Sequence, residues 1–175
     1  MQPASDSRQR RQRGSAIVAP PSSRASARAV AITASEGTRA PVAIARLTEL
    51  ARDVLAAEKV RNAMISIALV SSREIAALNR KHLGHKGPTD VITFAMGSDP
   101  TGVVVADIYI CPDVAREQAR DHGVGIREEM ARLVVHGVLH ACGYEHPEEE
   151  RTTSPMWRRQ EALLKRLWSS RQQPA

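Results

Sequence analysis

Three of the chain's six histidines crowd into residues 136–146, HGVLHACGYEH. His136 and His140 are four residues apart, which places them on one face of a helix. Gly143 stands where such a helix would stop, because glycine accepts the left-handed turn that ends it. Past that turn the chain can bring His146 back toward the other two. Three imidazoles meeting at a point suit a borderline-soft divalent metal such as zinc. With three protein ligands the fourth position stays free for water or substrate, which separates a catalytic zinc from a structural one. A single helical histidine is ordinarily a core or surface residue, and a pair at this spacing is often chance. Three of them, with glycine at the bend, set the segment apart.

The spacing H-x3-H-x5-H equals that of the long zinc-peptidase motif. Those enzymes carry glutamate directly after the first histidine, as the general base that activates water. This chain has Gly137 there. The ligand set is kept and the peptidase base is missing. Cys142 falls between the second and third histidines. It is expected to pack as a small apolar side chain, because the histidines already complete a three-ligand site.

Positioning such a site takes a folded body, and the 175 residues suffice for one domain with a real core. Only five residues are aromatic, which argues against a base-stacking surface and leaves phosphate as the main nucleic-acid contact. The net charge of +6 is unevenly placed. Residues 1–28 carry Arg8, Arg10, Arg11, Arg13, Arg24 and Arg28 against one acid, Asp6, and the remainder is close to neutral. Two cysteines, Cys111 and Cys142, do not make a disulfide framework and fit a reducing, cytoplasmic setting. No run is long and apolar enough to span a membrane or to serve as a signal peptide, so no membrane partner is expected.

Residues 1–27 lack periodicity and are expected to be a disordered basic arm, read as a spare extension, a phosphate-binding arm or a transit peptide. The folded domain is expected over 28–170, with a disordered tail at 171–175. Within it ARAVAITAS reads as a strand, and 41–58 as an amphipathic helix opened by Pro41. MISIALV reads as a buried strand, and SSRE (71–74) as a capping box starting a helix that ends near Gly84. VITFAM and VVVADIYI read as an antiparallel hairpin, followed by a helix from Pro112 to about Asp121. The histidine helix is expected over 126–142, buried through Met130, Leu133, Val134, Val138 and Leu139. A last helix covers about 154–169, with Met156, Leu163, Leu164 and Leu167 inward. The order predicts an α+β single domain, a mixed sheet of about four strands packed with about five helices.

With these elements in view, the chain resembles the YbeY family of bacterial rRNA-maturation endoribonucleases. Residues 136–146 match the family's HGxLHxxGYDH, with Glu145 in place of aspartate. LNRKHLGHKGPTDVITF (78–94) is similar to the family's LN, variable loop and PTDVLSF. ADIYIC (106–111) resembles its GDI-type strand with Ala106 for glycine, and Met156 stands where the family often has methionine. The resemblance covers about residues 28–168. It implies one zinc on His136, His140 and His146 and an RNase acting on single-stranded or ribosomal RNA. It also implies a role in small-subunit rRNA 3′-end trimming and ribosome quality control, with small-subunit ribosomal proteins or assembly factors as partners.

One departure bears on substrate. The family has arginine in the loop before PTDV, where this chain has Leu83 between His82 and Gly84. A guanidinium clamps phosphate at two points and leucine does not. Arg80, Lys81 and Lys86 are the candidates to replace it, against the reading of ordinary solvated charges. His82 and His85 read as loop residues. Glu145 is a candidate to orient a ligand from behind, or a surface acid heading the run Glu148–Glu150. Asp90 and Asp107 lie near strand ends and either face the site or serve as turn residues. The catalytic base is not identified. Zinc would activate water or polarise a phosphoryl oxygen, and the sequence does not choose. The near-neutral body leaves part of the RNA attraction to the arm, so removing residues 1–27 is expected to flatten the salt dependence of binding. The rivals are a non-catalytic zinc-containing assembly factor and a metallohydrolase on another substrate.

Overall fold

Alternating apolar side chains build four strands: β1 (Arg28–Ala34), β2 (Ala63–Leu69), β3 (Val91–Ser98) and β4 (Val104–Ile110). This computed structural model describes residues 27–98, 100–147 and 152–168. The expected arm (apart from Ala27), the expected tail and the run Glu148–Glu150 lie outside the described residues. The sheet order is β1-β2-β4-β3. β1 and β4 run parallel to β2, and β3 runs antiparallel to β4. The sheet is therefore mixed, as the element order predicts.

One face of the sheet carries the main core. Ile65, Ile67, Leu69, Ala106, Ile108 and Ile110 point there and are buried. Helix α1 (Ile44–Ala57) covers them with Leu47, Leu50, Val54 and Leu55, and helix α4 (Ile126–Ala141) with Met130, Val134 and Val138. Each such side chain contributes roughly 1.5–3 kcal/mol by leaving water. The expected start of α1 at Pro41 is corrected: the helix begins at Ile44, and Ala43 precedes it in extended backbone without a side-chain cap. Val42 is buried, and holding it inward keeps residues 41–43 out of the helix.

The other face is only partly covered. Helix α2 (Ser72–Leu78) sets Ile75 against Ile92 and Cys111, while Met64 stays exposed. The capping box forms as expected. Ser71 Oγ accepts from the Glu74 N–H, and Glu74 Oε2 accepts from the Ser71 N–H at 2.8 Å. α2 runs into a π-helical turn, Asn79–Leu83, which stops at Gly84 with φ +73°. Asn79 Nδ2 then donates to the Gly87 carbonyl at 3.0 Å and ties the loop down.

Helix α3 (Pro112–Asp121) follows β4, and helix α5 (Pro155–Leu167) closes the domain behind an N-cap at Ser154. Arg132 of α4 binds Glu161 of α5 at 3.0 Å and also Glu128 and Glu129. This part-buried cluster fixes α5 alongside α4. Among the described residues, no helix is long and apolar enough to cross a membrane.

Candidate metal centre

α4 is apolar around most of its girth, and the residues expected to hold it, Met130, Leu133, Val134, Val138 and Leu139, are all buried. It also lies unusually close to the sheet. A Cβ on Gly137 would sit 2.8 Å from Ile108 Cγ2 and 3.2 Å from Thr93 Oγ1. The position that bears the base in the peptidases is here a packing contact with β4. No longer side chain fits without moving the helix or Ile108.

The helix ends as the glycine predicts. Gly143 has φ +90°, its N–H donates to the His140 carbonyl, and the Tyr144 N–H reaches back to the Leu139 carbonyl at 3.1 Å. This pair of bonds is a Schellman stop. Tyr144 then pins the returning chain, its hydroxyl donating to Glu58 Oε2 at 2.8 Å. Arg159 of α5 holds the other Glu58 oxygen at 2.7 Å. The bond to Glu58 raises the Tyr144 hydroxyl above its ordinary pKa, with burial adding to it. The phenol stays a donor, which is what the contact needs.

The three rings meet. His140 Nε2 lies 3.1 Å from His136 Nε2, and His146 Nε2 lies 3.5 Å from it. Tetrahedral zinc with Zn–N near 2.0–2.1 Å separates its nitrogen ligands by about 3.3 Å. The far side of each ring is also engaged. His136 Nδ1 is 2.8 Å from Gln160 Oε1, His140 Nδ1 is 2.8 Å from the Tyr144 carbonyl, and His146 Nδ1 is 3.2 Å from the Pro147 carbonyl. Carbonyl oxygens only accept, so each Nδ1 donates and each Nε2 turns a lone pair inward. Gln160 Nε2 donates to Glu161, which fixes the amide the right way round. Lone pairs this close repel unless a cation lies among them. The three residues thus fit a metal by ligand type, separation and tautomer, and they are the group of ligating side chains brought together among the described residues.

A cleft of about 400 Å³ opens over the histidines, lined also by Asn79, Leu83, His85, Thr89, Asp90 and Val91. Leu83 is half exposed and borders the adjoining space beside Thr93, Ala95 and Glu145 as well. A larger cavity, about 880 Å³, lies at the far end of α4 by Arg46 and Trp168. It holds none of the three histidines, so ligand chemistry and not volume locates the site.

The other candidates fall into place around this centre. Arg80, Lys81 and Lys86 are exposed on the segment that walls the cleft but do not line it. His85 does line it, while His82 packs edge-on against Phe94 with ring centres 5.1 Å apart. Glu145 is 82% exposed, with its carboxylate 3.7 Å from His140 Nδ1, a nitrogen already bonded to the Tyr144 carbonyl. Asp90 is buried at the cleft, accepting from Thr89 Oγ1 at 3.0 Å and from the Val91 N–H at 2.8 Å. It is thus a turn residue placed at the site. Asp107 does not face the site: it sits mid-strand in β4 and points to the opposite face of the sheet, beside Met64 and Ser66. Alternation along the strand decides this, because its neighbours Ala106 and Ile108 point at the core. Cys142 is half-buried against the core, and burial, with Glu58 second, pushes its thiol up to about 11. It packs as an apolar residue and stays protonated.

Sequence reasoning missed Gln160. Its signal was present: Met156, Gln160, Leu163 and Leu164 share one face of α5, and a lone polar residue in a buried stripe needs a partner there.

The chain matches the family model described as Endoribonuclease YbeY over residues 32–168. It is 42% identical over 134 residues to an Endoribonuclease YbeY from Frankia alni, covering 68% of this chain and 72% of that one. It is 32% identical over 117 residues to the Endoribonuclease YbeY of Thermotoga neapolitana, covering 67% and 76%. Among solved structures, the solution structure of a Thermotoga maritima protein superposes with a TM-score of 0.58 at 30% identity. That match covers 81% of this chain and 90% of the other.

Proposed function

The chain belongs to the endoribonuclease YbeY family, and from that premise we propose that it is a zinc-dependent endoribonuclease cutting single-stranded RNA. The proposed substrate is the 3′ region of small-subunit ribosomal RNA, with roles in its maturation and in ribosome quality control in the cytoplasm. Small-subunit ribosomal proteins or assembly factors are the proposed partners. One observation carries the reading: the three imidazoles converge, with His140 and His146 Nε2 at 3.1 and 3.5 Å from His136 Nε2, while each Nδ1 is held from behind.

Zinc, when bound, supplies Lewis acidity toward a water or a phosphoryl oxygen. The chain's residues do the rest. Gln160 and the Tyr144 and Pro147 carbonyls keep the imidazoles in the ligating tautomer and raise their basicity. Gly137 lets the helix seat against β4, which leaves the histidines at the floor of an open cleft. Arg80, Lys81 and Lys86 are proposed to meet the RNA phosphates where the family arginine is replaced by Leu83. The near-neutral body assigns further attraction to the basic arm.

A second reading keeps the metal but not the chemistry. Leu83 at the cleft favours an assembly factor in which zinc only secures the end of α4. Metal analysis of the purified protein, paired with RNA cleavage by wild type and His140→Ala, decides between them. Stoichiometric zinc in the wild type, with loss of both zinc and cleavage in a variant that keeps its circular dichroism, is the expected result. Global unfolding of His140→Ala supports the structural role. Undiminished cleavage by the variant ends the nuclease mechanism proposed here.

A further inference from the structure

β3 is an outer strand, and its free side faces the metal centre. The pairing register tells which backbone groups are unused. The Cys111 N–H donates to the Asp90 carbonyl, and the Val70 N–H to the Ile110 carbonyl. Val91 lies opposite Ile110. Those two residues therefore form a pair without mutual bonds, and the alternation of an antiparallel ladder runs on from them. Ile92 and Phe94 exchange bonds with Tyr109 and Asp107. Val91, Thr93 and Ala95 turn their N–H and C=O groups away from β4, and the Val91 N–H is taken by Asp90 Oδ1 at 2.8 Å. The same three residues line the space of about 210 Å³ that also touches His136, His140 and Glu145. Proteins ordinarily cover or charge such an edge, because free backbone groups recruit another chain. This edge carries no charged side chain at its outward positions and opens onto the site.

We propose that the free edge of β3 is a rail that hydrogen-bonds the bases of single-stranded RNA lying across the metal centre. The phosphates then face the opposite wall, the segment bearing Arg80, Lys81, His85 and Lys86. Thr93 and Ala95 each offer a donor and an acceptor side by side, as the edge of a nucleobase does, and Val91 offers its carbonyl. Successive outward residues are about 6.8 Å apart, a span that suits an unstacked strand. With only five aromatic residues in the chain, base recognition falls to hydrogen bonds and not to stacking. A duplex has its pairing edges occupied, so the rail selects single strands. An extended peptide also pairs with sheet edges, but the cationic wall matches a polyanion. The identity of the ligand rests on the nuclease reading above; the edge itself does not.

Amide hydrogen exchange with a 2′-O-methylated oligoribonucleotide, checked to remain intact during the measurement, tests the rail. Bound RNA is expected to slow exchange at Thr93 and Ala95 and to leave Val91, whose N–H is held by Asp90, and Ile92 and Phe94 as they were. Ala95→Pro removes one outward donor at a position where an edge strand accepts proline. It is expected to raise KM for single-stranded RNA about three- to tenfold, with the loss on KM and not on kcat. Ala34→Pro, at an outward position on β1 at the opposite edge of the sheet, is the control and changes neither. Unaltered exchange at Thr93 and Ala95 under saturating RNA overturns the rail. Protection by an extended peptide but not by RNA overturns it too and assigns the edge to peptide. Protection of these amides by the methylated strand, with no cleavage of the matching unmodified RNA, supports the rail and counts against the nuclease reading alone. If Ala95→Pro does not fold, the exchange pattern in the wild type decides.

Discussion

His136 and His140 ride on α4, a helix whose apolar sides are buried against the sheet, α1 and α5, whereas His146 stands three residues past the helix stop on a part-exposed return. The first two cannot shift without dragging Met130, Val134 and Val138 out of the core. The third depends on one positive φ at Gly143 and on the bond from Tyr144 to Glu58. The helix therefore supplies a rigid bidentate half-site, and the turn supplies a ligand whose placement is separately adjustable. A metal that joins both stabilises the return more than the helix, because the return has less else to hold it.

The largest expected effect comes from the rigid half. Gln160→Ala removes the partner of His136 Nδ1, and zinc affinity is expected to fall about 10- to 100-fold with α4 unchanged. Competition with a chromophoric chelator measures it, and an unaltered affinity would show that packing alone orients His136. Next is the turn. Gly143→Ala forces a Cβ into the left-handed region at a cost of about 1–2 kcal/mol. Thermal unfolding should show that cost, and the His146 ring resonances should shift while those of His136 and His140 stay nearer their positions. Equal movement of all three rings would erase the distinction between the halves.

The smallest effect lies in the capping box that leads into the cleft wall. Hydrogen bonds from the Ser71 hydroxyl, the Ser71 N–H and the Ser35 hydroxyl, in that order, hold the Glu74 carboxyl below its ordinary pKa. A carboxylate lowered on folding adds stability above its unfolded pKa and loses it as pH falls through the lowered value. Glu74→Gln is expected to cost about 0.5 kcal/mol at neutral pH and nothing in strong acid, with zinc binding unchanged. Denaturant titrations at the two pH values check the sign. A change in zinc affinity would join α2 to the metal centre, which the separate hold on each half does not predict.

Much of the fold was legible because it is locally encoded. The H-x3-H spacing, the glycine stop, the capping box at Ser71 and the β3–β4 hairpin each depend on residues a few positions apart. Their hydrogen bonds and periodicities are satisfied within one element or between elements adjacent in the chain. The same logic misplaced the start of α1, where burial of Val42 overrode the preference of Pro41 for a first helical turn. It also left Asp107 ambiguous, since proximity to a motif does not say which face of a strand a side chain takes.

The residue types and spacing by themselves determined that three imidazoles can share a metal and that no peptidase base follows the first of them. Only the tertiary structure decided which groups hold those imidazoles from behind and which backbone edge looks at them. Gln160 is 24 residues from His136, and Glu58 is 86 from Tyr144. β2 stands between β1 and β4 although β3 precedes β4 in the chain. Contacts at such separations follow from how the elements pack around the shared core, where burial is shared among all of them, and no window of sequence contains both partners.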